Sequence, residues 1–177
     1  MKVRGILEVC WRGAFTTSFW IMGTTQRHLV NLDMLLTDIE MLDGSEYGSL
    51  AHRKLLTEIQ RVLEALEVAA QSETVSSFQK AVANSGLAGP LEDKRMPGIF
   101  RRLIGYVLDY WDAHNKAAQI LDSQFDGNAD KRLELLQVKG IKAKSQFKTV
   151  ARAMGRTDYL HFVEALGLHH EDWQWQA

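Results

Sequence analysis

Apolar positions recur every three or four residues along most of the chain, and that rhythm predicts helices rather than strands. The longest uninterrupted run covers residues 97–125, where Phe100, Ile104, Val107, Trp111, His114, Ala118, Leu121 and Phe125 fall on one seam. At about 1.5 Å per residue such a helix would reach roughly 44 Å, and Pro97 suits its first turn because a missing N–H costs nothing there. Two long helices and a shorter one are expected before it. One spans residues 24–42, capped by Thr24 or Thr25, with Leu29, Leu32, Leu36 and Ile39 on one face; the other spans residues 49–70 through Leu56, Ile59, Leu63, Leu66 and Ala70. Asp43-Gly44-Ser45 between them makes an antiparallel pair. Ser72 is the expected cap of a shorter helix carrying Val75, Phe78 and Val82, which stops at Asn84-Ser85-Gly86.

Residues 87–96 hold Gly89-Pro90 and four charges and read as a mobile linker. Behind the long helix, Asn128 offers a cap and three short helices are expected at residues 129–138, 144–154 and 157–166, punctuated by Gly140, Gly155 and Gly167. At the other end, Val3, Leu7, Val9 and Trp11 take odd positions, and residues 15–21 are rich in Thr and aromatics. A short β-hairpin around Arg12-Gly13-Ala14 fits that pattern, with a helix through residues 6–11 as the alternative. The expected fold class is all-α: an N-terminal arm or hairpin (1–23), a helical bundle with a long central helix (24–125), a three-helix module (129–167) and a tail (168–177).

Composition narrows this picture without changing it. A chain of 177 residues can bury about 70% of its unfolded surface and needs no staples. The lone Cys10 allows no intramolecular disulfide, no Cys/His pair has zinc spacing, and a reducing cytoplasm is the expected compartment. Glu8 and Arg12 interrupt the first apolar stretch before it reaches the length of a signal peptide, and no window approaches the roughly 20 apolar residues of a membrane span. Neither a metal nor a cofactor is expected: His161, Glu164, His169 and His170 straddle Gly167 without a ligand motif. Tyr110 and Trp111 sit on adjacent faces of the long helix and look like surplus apolar surface, so a homodimer is expected through the bundle.

Charge adds the sharpest functional signal. Between residues 131 and 156 lie eight basic residues against one acid, Glu134, a local +7, while the whole chain carries −1 and the remainder therefore −8. Lys144, Lys148, Arg152 and Arg156 recur every four positions, opposite an apolar face of Phe147, Val150, Ala151 and Met154. A cationic rail of that spacing can meet successive phosphates and release counterions.

The segment Leu135-Leu136-Gln137-Val138-Lys139-Gly140-Ile141-Lys142-Ala143-Lys144-Ser145 resembles the hairpin of helix-hairpin-helix DNA-binding modules. Val138, Gly140, Ile141 and Lys144 carry the likeness, and Lys142 stands where that family has its second glycine. The resemblance implies a turn at Gly140 that presents backbone N–H groups to a phosphate. A helix-turn-helix variant is the other reading of the same helices, with residues 144–154 in the major groove and Gln146, Lys148, Thr149 and Arg152 towards bases. Arg156 and His161 have a spacing that resembles the Arg–His pair of the HEPN superfamily, which implies a ribonuclease with His161 as general acid or base and Arg156 on phosphate.

The sequence reading is thus a nucleic-acid-binding protein, for duplex DNA, of regulatory or accessory type and more a binder than an enzyme. Its expected contacts are Lys139, Gly140, Lys142, Lys144, Lys148, Arg152 and Arg156. Two alternatives stand beside it: a helical adaptor whose basic module docks on an acidic protein surface, and the HEPN-like ribonuclease.

Overall fold

The computed structural model describes residues 23–85, 87, 90–123, 127–168 and 171–175, and among these all regular structure is helical. The hairpin expected at residues 1–23 lies almost wholly outside the described residues. In chain order the helices are α1 (Thr24–Glu40), α2 (Leu50–Ser72), α3 (Val75–Ser85), α4 (Met96–Asp122), α5 (Ala129–Met154) and α6 (Arg156–Ala165). Short 3-10 turns at Gly44–Glu46, Pro90–Glu92 and Glu171–Trp173 join or follow them.

The apolar faces read from the spacing are the ones buried: Leu29, Leu32 and Ile39 of α1, and Leu56, Ile59, Leu63, Leu66 and Ala70 of α2. The caps differ from expectation. Gly23, not Thr24 or Thr25, precedes α1, and Thr25 turns inward so that its hydroxyl donates to the Glu73 carboxylate. Ser49 caps α2, its Oγ accepting from the His52 N–H at 3.2 Å. Ser72 ends α2 instead of starting α3, and Thr74 Oγ1 takes the capping role by accepting from the Ser77 N–H at 3.2 Å. A burial requirement overrides local capping preference at Thr25, because that position faces α2.

The stretch expected to be a free linker is anchored. Leu91 is buried, and the Lys94 ammonium donates to the Glu73 carbonyl at the end of α2.

Helix α4 follows α2 in the opposite direction. Arg101 Nε lies 2.9 Å from Glu67 Oε2 near one end, and Trp111 packs on His52 and Tyr47 with ring centroids 5.4 and 5.3 Å apart near the other. Because α2 starts opposite Trp111, residues 112–122 run past it by about 16 Å. The predicted seam therefore ends early. Phe100, Ile104, Val107 and Trp111 are buried, but His114, Ala118 and Leu121 are exposed, and Ala113 and Ile120 face inward instead. Two causes combine: a straight helix drifts off a seven-residue seam by about 20° per heptad, and the neighbour changes from α2 to α5. Trp111 is a core residue, which removes the apolar surplus on which a bundle dimer was expected. His114 is an exposed residue stacked beside Tyr110, not a core histidine.

Helix α5 returns antiparallel along α4, the most extensive helix pair in the fold. Gly155, at φ 95° and ψ 158°, occupies a conformation essentially confined to glycine and starts α6 in a new direction. Gly167, at φ 63°, ends α6 with its N–H donating to the Glu164 carbonyl at 3.1 Å, and Leu168 donates to the Val163 carbonyl at 2.9 Å. The tail does not trail away. Trp173 is 1% exposed, its Nε1 donates to Tyr47 Oη at 2.6 Å, and the Tyr159 hydroxyl donates to its carbonyl. Phe147, Ala151, Tyr159, Phe162 and Trp173 belong to the same buried cluster as Leu29, Leu56 and Leu103. The boundary expected at residue 129 thus separates no second core.

Candidate functional site

The basic region forms one helix where two were expected. Residues 129–154 are continuous, and no turn interrupts them at Gly140. The amides from Lys139 to Lys142 are therefore spent on the helical ladder and present no open cradle to a phosphate. Gly140 is buried against α4: a Cβ placed there would meet Ala113 and Tyr110 at 3.9 Å, ordinary contact distance. An unbroken apolar rhythm through Ala129, Leu133, Leu136, Gly140, Ala143, Phe147, Val150 and Met154 was the sequence signal for this outcome.

One prediction follows directly. Since Gly140 has helical backbone and room for a methyl group, Gly140→Ala should stabilise the protein by about 0.5–1 kcal/mol, measured by denaturant unfolding. A tight turn at this position would give the opposite sign.

The seven expected contact residues divide into two groups. Lys139 lies between Asp112 and Asp109, with Nζ to carboxylate oxygen distances of 3.3 and 3.6 Å. Hydrogen bonding from Lys116 first, and then from Lys139, holds the Asp112 carboxyl below its usual range. Lys144 is half-buried, its Nζ 2.7 Å from Asp172 Oδ1 and 5.4 Å from the centre of the Tyr110 ring. Burial, then the nearby Asp172 charge, raises the Tyr110 hydroxyl above its ordinary value. One member of the predicted rail, Lys144, and one further expected contact, Lys139, are thus turned into carboxylates of this same chain.

Lys142, Arg152 and Arg156 are exposed, Lys148 is half-buried, and Gly140 is inside. Arg156 opens α6 beyond the Gly155 break and does not continue the face of α5. His161 is exposed on α6, and the five-residue step sets it about 140° around the helix from Arg156. The pair does not converge on one point.

What the spacing analysis missed lies on the outer side of α5. Leu135, Val138 and Ile141 are 62%, 58% and 63% exposed, far more than a core-facing helix leaves open. Lys131, Leu135, Val138 and Lys142 follow one line along the helix at steps of four, three and four, with Ile141 beside them. Leu121, also exposed, belongs to the part of α4 that extends past α2. Ile141 in addition borders a groove of about 320 Å³ between α4 and α5, floored by Ala113, Ala117 and Gly140.

Among the described residues no group of three or more His, Cys, Asp or Glu side chains could hold a metal ion, and no helix is long and apolar enough to cross a membrane. His169 and His170 lie outside the described residues. No protein-family model, curated protein or solved structure matches the chain.

Proposed function

We propose that the chain is a helical protein-interaction module whose α4–α5 hairpin docks an acidic, amphipathic helix of a partner protein. The observation that carries this reading is the line Lys131, Leu135, Val138, Lys142, with three large apolar side chains each more than half exposed on one helical face. Scattered apolar residues on a surface need no explanation, but adjacent ones at helical spacing mark an interaction site. A partner helix with apolar anchors one turn apart would cover Leu135, Val138 and Ile141, and its acidic flanks would meet Lys131 and Lys142. The groove beside Ile141 gives one anchor a recess.

Charge favours an acidic partner over a second copy of the chain. The outer face carries Lys131, Lys142, Lys148 and Arg152 against Asp130 and Glu134, so two such faces would repel. A nucleic acid uses the same cations but gains nothing from the apolar line, and Lys139 and Lys144 already have carboxylate partners.

The test uses a displayed library of helical peptides with Leu or Ile at three- and four-residue spacing and Asp or Glu at their flanks. Selected peptides should bind the full chain, and Val138→Asp/Ile141→Asp should weaken them by at least about tenfold, some 1.4 kcal/mol, with helix content unchanged by circular dichroism. Lys142→Glu should weaken them less, by an amount that shrinks as salt rises. Duplex DNA binding at 50 mM salt that survives Val138→Asp/Ile141→Asp and disappears in Lys148→Ala/Arg152→Ala would overturn the proposal in favour of a nucleic-acid binder. Concentration-dependent dimerisation abolished by Val138→Asp would overturn it in favour of self-association.

A further inference from the structure

Away from α5, two cavities meet beneath α6. One, of about 310 Å³, reaches between α1, α2, α4 and α6 and is walled by Leu32, Leu63, Leu91, Phe100, Phe162 and Leu166. The other, of about 930 Å³, opens beside the Gly44–Glu46 turn and is bordered by Glu40, Asp43, Tyr47, His52 and Glu164. His161 and Ala165 line both, so the two share a wall on one face of α6.

They differ in the charge at their borders. The inner cavity has an aliphatic and aromatic lining, with His161 the only titratable side chain among its described residues. The outer cavity has three carboxylates at its border and no Lys or Arg among its described lining residues. His52 does not offset them. Its Nδ1 accepts from the Gly48 N–H at 3.2 Å while Nε2 faces the Leu166 carbonyl at 2.8 Å, which requires the proton on Nε2 and leaves the ring neutral. Tyr47 adds ring surface, and a cation in front of an aromatic ring is stabilised by its quadrupole. A small-molecule site is expected to be mainly apolar with a few polar groups that fix orientation, in a few hundred Å³.

We infer that the paired cavities bind a small amphipathic amine, its aliphatic body between Leu63, Phe100 and Phe162 and its ammonium group facing Glu40, Asp43 and Glu164. The acidic border excludes the equally apolar carboxylates, because their charge would sit against three of the same sign. The site is separate from the α5 face, so partner docking and amine binding stand or fall independently.

The experiment compares decylamine, 1-decanol and decanoate, all below their micellar concentrations, by calorimetry on the full chain. Decylamine should bind saturably at one site, at least about tenfold tighter than decanol, with decanoate weakest. Glu40→Gln/Glu164→Gln should bring decylamine towards decanol and leave decanol itself unchanged. Leu63→Trp should abolish binding of both. Should that variant fail to fold, intermolecular nuclear Overhauser effects in the unsubstituted protein must connect the decyl methylenes to Leu63 and Phe162. Decanoate binding as tightly as decylamine, absence of saturable binding, or Overhauser contacts elsewhere would each overturn the inference.

Discussion

Replacing Trp173 by Ala is expected to destabilise the protein by about 3–5 kcal/mol, the range for a fully buried tryptophan. The side chain is 1% exposed although it comes four residues before the end of the sequence. Its ring packs on Phe147 with centroids 4.6 Å apart and meets Tyr110 edge-on at 5.3 Å. Its Nε1 donates to Tyr47 Oη at 2.6 Å, so removal takes away one hydrogen bond as well as leaving a void. Burial first, despite that hydrogen bond, raises the Tyr47 hydroxyl well above its ordinary value, and burial pushes Tyr159 up to about 12. Such phenols must remain protonated and bonded. With total stabilities of about 5–15 kcal/mol for ordinary domains, the variant should show a large drop in denaturant midpoint. Trp175→Ala is the control: that ring is half-buried, packs on Tyr159 at 5.2 Å, and should cost far less. A Trp173→Ala change under about 1 kcal/mol would show that the tail contributes little to the fold.

Stability should also fall as pH drops from about 7 to 5, with His52 the main cause. Burial lowers its affinity for a proton in the folded state, outweighing the opposite influence of the Leu166 carbonyl. Unfolded, the same imidazole titrates near 6.5. Below that pH the unfolded chain binds the extra proton and the folded chain does not, so the folded state loses up to about 1.4 kcal/mol per pH unit from one such group. The contribution is complete above the unfolded value and declines as pH falls towards the lowered folded one. His28, lowered by burial and by Arg27, acts in the same direction but from a half-buried position. Asp93 and Asp112, held down mainly by Arg95 and Lys116, lose their contribution only below about 4 and do not blur this window. His52→Gln keeps a donor and an acceptor but cannot titrate. It should start less stable at pH 7 and then show a flatter profile to pH 5 by thermal unfolding. Equal slopes in the two proteins would remove His52 as the cause.

The positions and buried faces of α1 and α2 were legible because they depend on spacing alone. Leu56, Ile59, Leu63 and Leu66 must share a face in any α-helix, and that face must leave water. The breaks at Gly155 and Gly167 were legible as glycines that close an apolar run, and both adopt positive φ. Gly140 was not, since an isolated glycine ends a helix in one context and is tolerated in another at a cost of about 1 kcal/mol. Contact with Tyr110 and Ala113 on α4 decides between the two. The cations of α5 could be counted from the sequence, but their partners could not. Asp112 is 27 residues from Lys139 and Asp172 is 28 from Lys144, separations that only chain reversal and the docking of Trp173 bring together.

By itself, then, the sequence determined the helical class of the described residues, where the helices before residue 123 lie and which residues carry charge, all consequences of local periodicity and residue chemistry. Tertiary structure alone decided which cations are neutralised, that Trp111 and Trp173 are core while Leu135, Val138 and Ile141 are surface, and that α6 closes over a two-part cavity. Those outcomes depend on where α2 ends relative to α4 and on which helix lies opposite. Periodicity within one helix specifies that a face will be buried, and it carries no information about how far along that face the neighbouring helix extends.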